Sequence, residues 1–309
     1  MSWLACGGGE SGDEDQPEVS FAAGFEVVDE NGAPIAGATI DLGDRQAVTN
    51  GDGRAELGGL QGPVVALVGA DGYITEPIPL DHSDTTGEVQ VRLWSRGGGT
   101  RWVMHTGGDV MFGRRYVEPS SGDPMIPIDN IVGGARYVVD NIARSFSAAD
   151  LRVLNLETVV SELPDADIYP GKRFILNSPP DTLAGLEALK TDVATLGNNH
   201  ARDYMDIGVE ETIRHLEDRG IGHVGGSADS QPADNPIYIE PVAGVRVAVL
   251  SWTTVNGDFV NDSYPDSTDP VPGECQVDPP ERNDCFQWQE RTWGYTGGTF
   301  TAPEIPRRI

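Results

Sequence analysis

At 309 residues the chain is longer than one ordinary core usually organises, so two folded domains plus tails are expected. Its 49 acidic against 21 basic side chains give a formal net charge of −28. That charge opposes binding to nucleic-acid phosphates or to an anionic membrane surface and excludes nucleic acid as a natural partner. No stretch approaches the roughly 20 apolar residues of a bilayer-crossing helix.

The chain opens Met-Ser-Trp-Leu-Ala-Cys-Gly-Gly-Gly-Glu. A small residue before Cys6 and glycines after it resemble the lipobox of bacterial lipoproteins. Trp3 stands where that motif prefers Leu, and the basic and apolar regions of a full signal peptide are missing, so a truncated or misassigned start is expected. The resemblance implies an exported, cell-envelope protein anchored to the membrane by lipid at Cys6; the alternative is an unmodified cysteine in a tail. Residues 7 to 19 hold almost no apolar side chains, so 1–19 reads as a disordered tether.

Residues 20–95 read as an all-β unit, with short strands at 25–28, 38–42, 54–57, 64–68 and 89–93. Glu30-Asn-Gly, Asn50-Gly-Asp-Gly and Ala70-Asp-Gly-Tyr supply turn residues that tolerate positive φ. Alternation and turn spacing point to a small β-sandwich. Asp29-Glu-Asn-Gly-Ala-Pro, Thr49-Asn-Gly-Asp-Gly and Gly69-Ala-Asp-Gly-Tyr resemble the carboxypeptidase-regulatory-like fold of exported proteins. Asp41, Asp44 and Asp52 read as solvated turn carboxylates rather than a calcium loop. A spacer or glycan-contacting module is the functional reading, and residues 96–100 form a Gly-rich flexible linker.

From Arg101 the pattern changes to strands followed by helices, over a second domain spanning 101–309. Strands are expected from Trp102 toward Asp109, at 151–157, at 193–196 and at 245–252, with helices at 137–149, 182–189 and 210–219. Such alternation predicts an α/β layered domain, whose ligands gather beyond the strand ends. Those ends carry Asp109, then Asn155 with Glu157, then Asn198-Asn199-His200. Each alone has an ordinary turn or capping explanation. Their recurrence at consecutive strand ends points instead to a divalent metal site, for Mg, Mn, Zn or Fe, able to activate water or polarise a phosphoryl or carbonyl group.

Gly108-Asp-Val-Met, Asn155-Leu-Glu-Thr, Gly171-Lys-Arg-Phe, and Leu196-Gly-Asn-Asn-His-Ala-Arg-Asp-Tyr with Thr212 and Gly225-Gly resemble, in order, motifs of the CapA-type capsule-synthesis (poly-gamma-glutamate) family over residues 101 to 255. That family is regarded as related to calcineurin-like metallophosphoesterases. The resemblance implies an α/β metallophosphatase-type domain with Asp109, Asn155, Glu157 and Asn199 at the metal and His200 as proton donor. Asp203 would orient His200 or cap a helix. Lys172 and Arg173 would contact an anionic substrate, or form a solvated basic pair. Met111 stands where the phosphoesterases place a histidine, and their later His motifs are absent, which predicts a C-terminally truncated domain. His105, His215 and His223 read as structural or surface residues. Cys275 and Cys285 bound a polar loop and are expected as a disulfide or two free thiols, without the spacing of a zinc site.

Two functions follow as expectations. One is a metal-dependent hydrolase or transferase acting on an anionic polymer or phosphorylated small molecule in capsule or poly-gamma-glutamate biosynthesis. The other is a noncatalytic envelope component that binds or guides the polymer.

Overall fold

The computed structural model describes residues 20–169, 174–226 and 236–253. The chain divides into two compact units, Met1–Trp94 and Ser95–Ile309.

In the first unit β1 (Phe21–Val28), β2 (Thr39–Asp41), β3 (Gln46–Val48), β4 (Arg54–Leu60), β5 (Val64–Gly69), β6 (Glu76–Leu80) and β7 (Glu88–Arg92) form two sheets. Their strand orders are β4-β1-β7 and β3-β2-β5-β6. Strict alternation along β1 sends Phe21, Ala23, Phe25 and Val27 inward. There they share one apolar core with Ile40 of β2, Val68 of β5, Leu80 of β6 and Val91 of β7, so the two sheets bury a common interior. Strands β3 and β6 are absent from the sequence-based reading. Pro77 and Pro79 mask β6, and the sheet accepts them because β6 is an edge strand, where a missing N–H need not break a ladder. The turns close through side chains: Asp29 Oδ1 accepts from the backbone N–H groups of Asn31 and Ala33, both at 2.8 Å.

The Gly-rich run expected as a flexible linker is a hydrogen-bonded turn in the structure. Arg101 donates from its backbone N–H to Arg96 O at 3.0 Å and from Nη1 to Ser95 O at 3.1 Å. Arg96 in turn pairs with Asp150 at 3.0 Å.

The second unit contains β8 (Met104–Val110), α1 (Ile131–Tyr137), α2 (Asp140–Ser147), β9 (Leu151–Leu156), β10 (Val159–Val160), β11 (Asn177–Ser178), α3 (Ala184–Ala188), β12 (Val193–Thr195), α4 (Met205–Asp218), β13 (Gly222–Val224), β14 (Ile237–Val242) and β15 (Val245–Val249). Strands β13-β12-β9-β8 form a four-stranded sheet, every neighbouring pair parallel. Alternation splits its side chains between two layers. Leu154, Leu156, Ala194 and Leu196 pack with Leu183, Leu186 and Leu216 from the helical side. Leu151, Val153, Val193 and Val224 pack with Ile237, Ile239, Val247 and Val249 of the β14–β15 hairpin. Burial on both faces makes β9 and β12 read as apolar runs, while β8 at the sheet edge has no fully buried residue.

The helix expected at 137–149 is α2, over Asp140–Ser147, and a separate helix α1 ends just before it at Tyr137. Helix α1 escapes the sequence reading because Gly133 and Gly134 lower its propensity. Gly134 is needed there, since a Cβ would lie 2.6 Å from Ile126 Cα. Among the described residues no helix is long and apolar enough to cross a membrane. The tether, Cys6, Cys275, Cys285, Lys172 and Arg173 lie outside the described residues.

Leu154 is 1% exposed between the parallel sheet and its helices. Leu154→Ala is expected to lower unfolding free energy by about 2–5 kcal/mol, read by chemical denaturation. His105 packs its ring 5.4 Å from that of Phe146, and burial followed by the Arg152 charge pushes its pKa below 6.5. Burial and then Arg214 do the same to His215. Folded pKa values below the unfolded value mean that the unfolded chain binds more protons, so stability declines as pH falls through about 6.5 and is level above it. NMR titration should place both midpoints below 6.5.

Candidate functional site

Because β8, β9 and β12 run parallel, their C-terminal ends meet on one edge of the sheet, where Asp109, Asn155 and the 198–200 turn stand side by side. Asp109 sits at an irregularity: Gly107 pairs with Leu154 and Val110 with Leu156, so β8 carries one extra residue against β9. The bulge holds Asp109 at φ +51°, a left-handed conformation that Asp tolerates better than most residues, and turns its carboxylate outward.

A chain of hydrogen bonds runs from this carboxylate across the strand ends. Asn155 Nδ2 donates to Asp109 Oδ1 at 3.0 Å. Asn198 Nδ2 donates to Asn155 Oδ1 at 3.1 Å and to Leu156 O at 2.9 Å. Asn198 Oδ1 accepts the backbone N–H of His200 at 2.9 Å. One buried carboxamide therefore positions both Asn155 and the His200 turn. Thr195 Oγ1 adds a longer contact to Asn155 Oδ1 at 3.4 Å. The turn itself begins at Gly197, whose N–H donates to Ser251 Oγ at 3.0 Å. A Cβ at that position would lie 2.5 Å from the same oxygen, which explains why glycine precedes the Asn-Asn-His run.

His200 Nδ1 lies 2.7 Å from Asp203 Oδ2. The Asp203 side chain is fully buried and the His200 side chain is 12% exposed. Asp203 Oδ2 also accepts the backbone N–H of Leu176, and Asp203 O accepts that of Tyr169 at 2.8 Å. Helix α4 has Tyr204 at its N-cap position and no side-chain cap. The Asp203 carboxylate therefore contacts His200 Nδ1 and does not cap α4. Beside it, buried Tyr169 has its hydroxyl pKa pushed upward by burial, and Arg202 forms an ion pair with Asp206.

Asp109 and Asn155 are thus brought into contact, as are His200 and Asp203, while Glu157 is half-buried and Asn199 exposed at neighbouring strand ends. The backbone N–H of Glu157 bonds Val110 O at 3.0 Å, fixing that end of β9 against β8. Among the described residues no group of three or more His, Cys, Asp or Glu side chains gathers as a metal-holding cluster. Carboxylate and amide oxygens are nevertheless donors of the kind that Mg or Mn prefers. His105 lies inside β8, and His215 Nε2 and His223 Nε2 lie 3.4 Å from Glu211 and Glu217 respectively. The sequence places Asn198 in the strand-end cluster without giving it a role of its own, whereas in the fold it ties that cluster together. Its place two residues before His200 is an Asx-type spacing that could have flagged it.

Residues 103–284, over half the chain, match the family described as bacterial capsule synthesis protein PGA_cap. A probable polyglutamine synthesis accessory protein of Mycobacterium tuberculosis is 32% identical over 117 residues, 37% of this chain and 29% of that protein. The capsule biosynthesis protein CapA of Bacillus anthracis is 28% identical over 176 residues, 56% of this chain and 38% of that protein. The PGA biosynthesis protein CapA of Bacillus subtilis is 28% identical over 153 residues, 48% and 37% of the respective chains. The match spans less than two-fifths of the length of each of these relatives.

Replacing Asn198 with Asp keeps the shape but turns its donor against Asn155 Oδ1 and Leu156 O. Asn198→Asp is expected to cost about 1–3 kcal/mol of stability. Asn199→Asp, on the exposed neighbour, should change it by less than about 0.5 kcal/mol. Urea denaturation of the pair checks the contrast.

Proposed function

We propose, because this chain belongs to the bacterial capsule synthesis protein (PGA_cap) family, that its second unit is a metal-dependent hydrolase or transferase of the cell envelope. Its substrate is an anionic polymer or a phosphorylated molecule used in capsule or poly-gamma-glutamate biosynthesis. The observation that carries this reading is the continuous hydrogen-bonded path from Asp109 through Asn155 and Asn198 to the His200 turn, with Asp203 behind His200.

A carboxylate can only accept, so the Asp203 contact keeps a proton on Nδ1 of His200 and leaves Nε2 to exchange a proton with the substrate. Burial of Asp203 strengthens that orientation. Asp109, Glu157 and Asn199, with Asn155 aligned on Asp109, are the oxygen donors proposed to hold a divalent ion, Mn, Mg, Zn or Fe. Such an ion would polarise a phosphoryl or carbonyl group and supply activated water. Lys172 and Arg173 are proposed, on sequence grounds, to meet the negative charge of the substrate. The first unit, whose two sheets share one core, is proposed to be a carboxypeptidase-regulatory-like β-sandwich, and Cys6 to carry a lipid anchor after export.

In the full-length protein, His200→Ala is expected to lower kcat about 10²–10⁴-fold with the substrate still bound. Asp109→Asn is expected to lower both turnover and the bound metal measured by elemental mass spectrometry. Polymer binding and turnover that survive both substitutions would overturn the catalytic reading and leave a polymer-binding or export-guiding component.

A further inference from the structure

We propose that the outer face of the four-stranded sheet in the first unit carries a groove that binds a saccharide chain. Ile40 of β2 and Val68 of β5 point into the core. By strand alternation Thr39 and Asp41, and Leu67 and Gly69, face the other way. Thr39 is opposite Gly69 and Asp41 opposite Leu67 in the antiparallel register. Because Gly69 has no side chain, the sheet surface dips beside Thr39. A Cβ there would stand 3.0 Å from Thr75 Oγ1, narrowing the same space.

The resulting trough has a volume of about 860 Å³ and is lined by Thr39, Asp41, Asp71, Tyr73 and Thr75 among others. This lies within the usual range of ligand sites, which is roughly 300–1,000 Å³. Tyr73 is half-buried and packs against the core of the unit, so its ring is held in place before any ligand arrives. Asp71 is exposed in the turn that leads to Tyr73.

These groups match the two-sided chemistry of a sugar. One side of a pyranose ring is a patch of C–H bonds that an aromatic ring covers. Its rim of hydroxyl groups donates to carboxylates and exchanges hydrogen bonds with threonine hydroxyls. Charge decides against the obvious competitor. Among the described residues no Lys, Arg or His side chain lines the trough, and Asp41 and Asp71 would repel a polyanion. The ligand is therefore a neutral or amino-bearing saccharide, chemically distinct from the anionic substrate proposed for the second unit, and this inference does not rest on that proposal. A glycan held by the first unit would fix the protein beside a carbohydrate surface.

The test is isothermal titration of the full chain with an N-acetylglucosamine tetramer, its deacetylated form and a γ-glutamate oligomer. Saturable binding of either sugar is expected, weakened about tenfold by Tyr73→Ala and also by Asp71→Ala, with no uptake of the glutamate oligomer in the trough. Tyr73 contributes to packing, so Asp71→Ala, in an exposed turn, separates a lost contact from a lost fold. No saturable binding of either tetramer, binding unchanged in both variants, or glutamate-oligomer binding that both variants weaken would each overturn the proposal.

Discussion

Because β8, β9 and β12 are parallel and in register, residues from three distant stretches of chain reach the same edge of one sheet. The apolar runs of β9 and β12 pack into the layers on both sides of the sheet, whereas β8 lies at its edge and is partly exposed. Everything polar at the site is set by how each strand ends. Strand β8 ends in a bulge that turns Asp109 outward, β9 ends with Asn155 aimed across at it, and β12 runs into a turn stitched to both by Asn198. A loop-built site would need other means to hold these groups; here the scaffold does so.

Burial of Asp203 is the second constraint. An ionised carboxylate removed from water is costly unless donors replace the lost hydration. His200 Nδ1 and the backbone N–H of Leu176 both converge on Oδ2. The same residue receives the N–H of Tyr169 at its carbonyl, so it joins the His200 turn to residues on both sides of the Gly171-Lys-Arg-Phe motif. A substitution at Asp203 therefore acts on its contact with the His200 ring and on its bonds to Tyr169 and Leu176 together.

The two units divide their charge differently. The strand-end site gathers oxygen donors suited to a cation, with basic residues proposed at the substrate. The trough on the first unit sets carboxylates beside an aromatic ring and, among the described residues, has no basic lining. Under the two proposals, the first unit holds a neutral glycan and the second acts on an anionic molecule.

Much of this was readable in the sequence. The alternation of β1, the apolar runs of β9 and β12, and the turn residues at Asn50 and Asp71 each carry local information that survives folding unchanged. So do the residue types at the strand ends, which is why Asp109, Glu157 and His200 stood out. Other features depended on context. Strand β6 looked unfit because prolines are excluded from sheet interiors, and only its edge position makes them harmless. Helix α1 was hidden by glycines whose purpose is a close approach to Ile126. Asn198 stands in the strand-end cluster by sequence, but its bonds to Asn155 and Leu156 arise only in the fold. Sequence determined which groups were available and where the strands that present them begin and end. Tertiary structure alone decided that the Asp203 carboxylate meets His200 Nδ1 and that one carboxamide links Asn155 to His200, because those contacts depend on how separate strands and turns meet in space.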